Sequence, residues 1–586
     1  MPLRDALART RRSDRQTRRE DPAGTRGARR LNAAALLAEL AAARGRYGTG
    51  AADVKLALLA ALDRQPLRSA AQFERAHDHL LYLAAFPDDA RVLRAARRRL
   101  ATTARRLARL PRAARQRLED SGIAGSRSRH TYDAAIAQWL CGRFPEQAEI
   151  DWSALRDPAR LEALLRLVLL RAEEDGFDAA DVTVPGWLRR ARNPAHSALA
   201  WLVTALSRAP GLAHLWQLLY TDAELPLVWS LGPGRGSVSG ARLPGVRIVY
   251  RAHMRAAPRD PLAHVTRPLR GVRLLDRRRA RAVIDLARVA LTARCREAYV
   301  INHANPGEVY LADLGAGVAL AVIGAQVDYR PALEANFGFL LLANGVPIGY
   351  GGVSPLHRQA NTGINIFPAF RGSEAAFVWA QALRAFHTLF GVQRFIINPY
   401  QFGAGNAEAI ESGAFWFYYR LGFLPVSAPA RALAAREARR LAANPRHRSD
   451  RKALRRLAAD DLELLVPGGR KAPRFDERWL PRVGLAASAK LAELERTRPA
   501  LRAFVAAVAG SVGLDRRRRR VAGARAGFEA LAPVVALLDA ASWPRADRRA
   551  VAELLRKKGA PAEAGFARAA AGADRFFAAL ARLSRG

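Results

Sequence analysis

The stretch Phe337-Gly338-Phe339-Leu340-Leu341-Leu342-Ala343-Asn344-Gly345-Val346-Pro347-Ile348-Gly349-Tyr350 decides how this chain folds. Two apolar runs flank Asn344-Gly345, and Asn-Gly in that setting favours a two-residue hairpin because both positions tolerate positive φ. A third strand, Gly363-Ile364-Asn365-Ile366-Phe367, follows across a polar turn. From Glu374 to Phe390 the period becomes helical, with Trp379, Leu383, Phe386 and Phe390 on one face and Gly391 as the stop. Arg394-Phe395-Ile396-Ile397-Asn398 reads as the next strand. A meander, a helix and a returning strand make a mixed sheet with a right-handed crossover, in which the Ile364 strand neighbours the Phe395 strand.

On either side of this core the pattern is helical, so the fold class is α+β: a central mixed sheet with helices, flanked by mostly helical N- and C-terminal domains. At 586 residues and 50% hydrophobic, the chain exceeds one ordinary domain. Residues 1–30 carry Arg11-Arg12, Arg18-Arg19 and Arg29-Arg30 with few large apolar residues, the composition of a disordered tail. Residues 31–290 read as a mostly helical domain. Within it Asp157 and Pro158 suit a helix start, Leu161, Leu164, Leu165, Val168 and Leu169 form one stripe, and Gly176 is the expected end. Asp88-Asp89 marks another helix start, and Gly232-Pro233-Gly234-Arg235-Gly236 reads as a plain loop, because no helix or Lys-Ser/Thr follows it. Residues 291–429 hold the sheet, and residues 430–586 return to Arg/Ala-rich helices that include Arg516 to Arg520.

The formal net charge is +42, and only six of the 95 basic residues are Lys. From Ala293 to Ser427 eight Arg face eight Asp plus Glu and sum to zero, so the excess lies in the flanks. Such flanks could hold nucleic-acid phosphates. The preferred reading is an arginine-rich solvated surface over helices. Two cysteines, Cys141 and Cys295, offer neither a disulfide framework nor a metal-ligand pairing, so a cytoplasmic, metal-free protein is expected. No apolar run reaches the roughly 18 residues of a membrane span.

Two segments point to chemistry. Arg371-Gly372-Ser373-Glu374-Ala375-Ala376 opens the helix, and Glu411-Ser412-Gly413-Ala414-Phe415-Trp416-Phe417-Tyr418-Tyr419-Arg420-Leu421-Gly422-Phe423 follows the next strand. In this order they resemble the acyl-CoA site of the GNAT acetyltransferase superfamily. The first matches that family's Arg/Gln-x-x-Gly-x-Gly/Ala turn with Glu374 in place of the middle glycine. The second matches its Asn-x-x-Ala-x-x-x-Tyr-x-x-Leu-Gly-Phe pattern with Glu411 in place of Asn. The resemblance implies acetyl-CoA or another acyl-CoA as cofactor, an amine acceptor, and cofactor contacts at Ile366, Phe367, Arg371, Gly372, Ser373, Ala375 and Ala376. It gives Tyr418 the role of acid toward the departing thiolate.

A helix N-terminus suits a diphosphate because its free N–H groups and dipole favour negative charge. Glu374 is therefore expected to crowd and repel that diphosphate, or else to pair with Arg371 as an ordinary first-turn acid. No motif assigns the base that takes the ammonium proton. Glu408, Glu411 and His357 are the candidates, and Asn302-His303-Ala304-Asn305-Pro306 is read as a capped turn rather than a pocket wall. Two functions remain: an acyl-CoA-dependent N-acyltransferase, or a non-catalytic protein of the same fold whose basic helical flanks bind protein or nucleic acid.

Overall fold

A computed structural model describes residues 32–583 apart from 180–181, 210, 213–214, 373, 445, 468, 470–471, 477–478, 495–496 and 515–523. The tail expected over 1–30, Ser373 and the run Arg516 to Arg520 lie outside the described residues. The described chain is mixed α and β, with one large mixed sheet and many helices. Among the described residues no helix is long and apolar enough to cross a membrane.

The N-terminal region is helical but also holds a small antiparallel sheet of β1 (Arg127–Thr131), β2 (Ala148–Ile150) and β3 (Pro226–Ser230), ordered β1-β3-β2. Asp89 caps the helix Ala90–Ala101, accepting from Arg91 and Val92 N–H. Asp157 caps Pro158–Arg166, but that helix ends at Arg166 and Gly176 sits inside the next one, Arg171–Ala179. The expected stop at Gly176 is therefore corrected. Leu161, Leu164 and Leu165 are buried, whereas Leu170 projects into solvent at the break between the two helices.

Among the described residues, nine strands form the large sheet. They are β4 (Val272–Leu274), β5 (Ala304–Gly315), β6 (Val318–Ala325), β7 (Phe337–Ala343), β8 (Val346–Leu356), β9 (Gln359–Ile366), β10 (Arg394–Ile397), β11 (Leu424–Pro425) and β12 (Leu462–Leu465). Their order is β11-β12-β10-β9-β8-β7-β6-β5-β4, and every pair is antiparallel except β9–β10. The sheet thus draws β4 and β12 from outside residues 291–429. The β7–β8 hairpin turns at Asn344 (φ 47°) and Gly345 (φ 80°), the conformation such a turn requires. Asn344 is buried because its side chain also serves the N-terminal region: Nδ2 donates to Ala85 O and Val249 O, and Oδ1 accepts from Val249 N.

The crossover helix Ala375–Phe390 joins parallel strands β9 and β10 and is stopped by Gly391 at φ 72°. Trp379, Leu383, Phe386 and Phe390 are all buried, with Phe390 stacked on Phe337 at 4.4 Å and Phe386 5.4 Å from Phe339. The C-terminal helices dock on the sheet through buried charges. Glu308 accepts from Ala564 N (2.7 Å) and lies 3.4 Å from Arg330, while Lys558 lies 2.7 Å from Glu563. Satisfying each charge with a partner is what makes such burial tolerable.

Candidate functional site

The turn that opens the crossover helix is Arg371-Gly372, with Gly372 at φ 73° and open space where a Cβ would stand. Glu374 is the N-cap residue, yet its side chain makes no capping bond. Its carboxylate instead turns inward to Arg251, 2.9 Å away, and accepts from Arg255 N at 2.9 Å. Both side chains of this pair are about fully buried, 3% and 2% exposed. Arg251 also donates to Ala316 O in the β5–β6 turn. Glu374 is turned away from the exposed side of the turn, and the expected pairing with Arg371 is corrected: its partner is Arg251. Arg371 pairs with Glu408 at 2.6 Å, and its Nε donates to Ile366 O at 3.3 Å. Both members of that pair are substantially exposed.

The β9–β10 ladder runs only from Gln359–Arg394 to Asn361–Ile396. Beyond it β10 ends at Ile397 and the chain turns into a single 3₁₀ turn, Pro399–Phe402, so the rest of β9 has no β10 partner. Tyr418 occupies this opening. It lies on the short helix Ala414–Tyr419, is 2% exposed, and its phenol oxygen accepts the N–H of Ile364. Burial pushes its pKa up, so it stays a protonated phenol at neutral pH. Trp379, Phe402 and Phe423 surround the ring edge to face. Gln401 closes over Gly363, where an added Cβ would meet its Cδ at 2.7 Å. Among the described residues, three buried polar atoms of this region lack a partner: Asn365 Oδ1, Asn398 Oδ1 and Trp379 Nε1.

The remaining candidates separate. Ile366 pairs with Gly349 of β8 and gives its carbonyl to Arg371. Phe367 is withdrawn from the cofactor set on physical grounds: its N–H donates to Ile348 O, its carbonyl accepts from Phe370, and its ring is buried against Tyr350 under Arg294. Ala375 and Ala376 form the first, half-exposed turn of the crossover helix. Glu411 is exposed and pairs with Arg451 at 3.2 Å. His357 sits in the β8–β9 turn at the other end of the sheet, buried, bonded to Asp574 at 2.8 Å and stacked on Phe577. It holds the C-terminal helix and is corrected from base candidate to docking residue.

One carboxylate that no motif marked is brought here by the N-terminal region. Asp78 lies on the helix Ala70–Ala85, which packs on the Pro368–Phe370 turn beside the site. Burial, then the neighbouring Glu74, pushes its pKa up to about 6, with Arg294 and Arg44 opposing. Arg294, half-buried over the Phe367 ring at 4.0 Å, is itself lowered to about 9 by desolvation. Only the tertiary contact between residues far apart in sequence reveals this carboxylate. Comparison of the chain with family models, with curated proteins and with solved structures returns no match.

Proposed function

We propose that the chain is a GNAT-like, acyl-CoA-dependent N-acyltransferase. The observation that carries this reading is the position of Tyr418: a phenol buried where β9 has parted from β10, bonded to the backbone at Ile364. A phenol that accepts from a main-chain N–H keeps its own proton to give. The unpartnered Asn365 Oδ1, Asn398 Oδ1 and Trp379 Nε1 suit a ligand with amide groups, since buried polar atoms otherwise carry a desolvation cost of about 1–3 kcal/mol. Acyl-CoA would supply a thioester, whose acyl group passes to an amine as the C–S bond breaks.

In this reading Arg371, Gly372, Ala375 and Ala376 hold the diphosphate, with Ile366 beside the arm. Glu374 does not oppose it, because its charge is already neutralised by Arg251. Tyr418 gives a proton to the leaving sulfur. Asp78, near neutrality in its proton affinity, takes the ammonium proton, replacing Glu411 in that role. The non-catalytic alternative draws on a different observation: Arg371 is occupied by Glu408, and the helix start is backed by residues 251–255.

The test is thiol release from acetyl-CoA by the full chain, across a panel of primary amines and polyamines. The acyltransferase reading expects amine-dependent release that Tyr418→Phe suppresses. Release that is absent with every amine favours the non-catalytic reading, and amine-dependent release indifferent to Tyr418→Phe removes Tyr418 from the chemistry.

A further inference from the structure

The segment Asn302-His303 does more than end a turn. It closes the short helix Tyr299–Asn302 at the start of β5 and lines a cavity of about 240 Å³. The cavity lies between the helices Ala134–Arg143 and Arg277–Thr292, the start of β5 and the residues after β6. That is the end of the sheet opposite to Tyr418, because β5 begins and β6 finishes there.

The acidic groups around it are hydrogen-bonded, and Arg288 is held at two of its three nitrogens. Asp133 caps the helix Ala134–Arg143 through Ile136 N, and its other oxygen accepts from Asn302 Nδ2. Arg288 donates to Ile301 O (3.3 Å) and Asn302 O (2.7 Å), with Asp285 and Asp133 balancing its charge at longer range. Asp285 takes the Trp139 indole N–H at 3.0 Å. His303 stacks flat on Tyr329, 3.8 Å between centroids and 7° between planes. Tyr329 in turn donates to Gln217 Oε1.

Apart from Arg288 Nη1, the uncommitted amide groups that face the cavity are neutral. Gln138 makes no hydrogen bond among the described residues, Gln217 has its amide nitrogen to offer, and Gln326 has its carbonyl oxygen, its nitrogen being on Ala304 O. Carboxamides present donors and acceptors side by side, which matches hydroxyl groups because each hydroxyl both donates and accepts. Trp139 and Tyr329 add aromatic surface against which C–H groups can pack. A carboxylate ligand would gain from Arg288 but meet Asp133 and Asp285 just behind it, and an ammonium would meet Arg288 itself. The cavity is also smaller than the roughly 300–1,000 Å³ usual for drug-sized ligands.

We propose that this cavity binds a small neutral polyhydroxylated molecule, a monosaccharide or polyol, between the Trp139 and Tyr329 walls and the Gln138, Gln217 and Gln326 carboxamides. The test is saturation-transfer NMR and calorimetry on the full chain. The probes are glucose, galactose, mannose, ribose, glycerol and myo-inositol, with glucuronate and glucosamine as charged analogues. Gln138 and Gln326 are exposed and only one intramolecular bond, Gln326 Nε2 to Ala304 O, is lost, so Gln138→Ala with Gln326→Ala is expected to stay folded, which its melting curve checks. The expected result is saturable millimolar or tighter binding of at least one neutral compound, weakened roughly tenfold in the double variant as two hydrogen bonds are lost. Three results would overturn the proposal: no binding of any neutral probe, equal or tighter binding of a charged analogue, or binding untouched by the double variant.

Discussion

Glu374 lies 2.9 Å from Arg251 Nη2, and neither side chain reaches solvent. The acid that breaks the glycine pattern of the turn is thus a tie between the crossover helix and residues 251–255, and its charge is answered from within the protein. Removing one partner of a buried pair strands the other, at a cost of about 3–5 kcal/mol. Glu374→Ala is expected to lower unfolding stability by that amount in urea, and Glu374→Gly will not improve cofactor affinity. Pairing Glu374→Ala with Arg251→Met recovers much of the loss. An unchanged urea midpoint in Glu374→Ala would show that the pair is not formed in solution.

Arg371 is the basic group at the mouth of the turn, and Glu408 holds it at 2.6 Å. Exposed pairs of this kind are worth about 0–1 kcal/mol, so a ligand phosphate can displace the carboxylate. Glu408→Gln is expected to tighten acetyl-CoA binding roughly two- to fivefold, with the gain shrinking in high salt. Looser binding in this variant would mean that Glu408 contacts the ligand itself.

Tyr418→Phe removes one hydroxyl and leaves Ile364 N–H without its acceptor. The stability loss should be about 1–3 kcal/mol. Turnover should fall by roughly 10²–10⁴ with KM for acetyl-CoA little changed, the pattern of a lost general acid. A rise in KM with unaltered kcat would assign Tyr418 to binding alone.

Asp78 gives a pH signature. Its ordinary pKa of 3.8 is raised to about 6 in the folded protein. Below 3.8 it is protonated folded or unfolded, and its full stabilising contribution is present. As pH rises through about 6 the folded protein must ionise a half-buried carboxyl, and that contribution is lost. The melting temperature should therefore drop more between about pH 4 and pH 6 in the wild type than in Asp78→Asn, by linkage. Any amine acylation should rise over the same range and lose that rise in Asp78→Asn. Parallel melting profiles for the two proteins would remove Asp78 from the account.

How far the sequence reaches depends on how local each signal is. Asn344-Gly345 between two apolar runs is a local instruction, and β7–β8 formed there. The apolar face of Trp379, Leu383, Phe386 and Phe390 is equally local, and the helix between two parallel strands follows from it. The β5–β6 hairpin was not marked, because Asn305, Pro306, Glu308 and Asp313 interrupt the alternation of β5 and the turn is the unremarkable Ala316-Gly317. Strand β12 joins the sheet from a region whose composition reads as helix. At the proposed site, the motifs marked Tyr418 and Arg371, and the structure places Tyr418 beside Ile364 of β9 and Arg371 at the turn that follows β9. The partner of Glu374 did not show, since Arg251 lies 123 residues earlier and nothing in the motif points to it. Asp78, the proposed base, is farther still in sequence from the strands of the site.

The central claim is that the opening between β9 and β10, with Tyr418 inside it and Arg371 at its mouth, takes an acyl-CoA. Calorimetric titration of the full chain with acetyl-CoA tests it most directly, with free CoA as competitor and Arg371→Ala as control. The account predicts saturable one-to-one binding, displaced by CoA and weakened in Arg371→Ala. Absence of saturable binding, or binding indifferent to both CoA and Arg371→Ala, would contradict it.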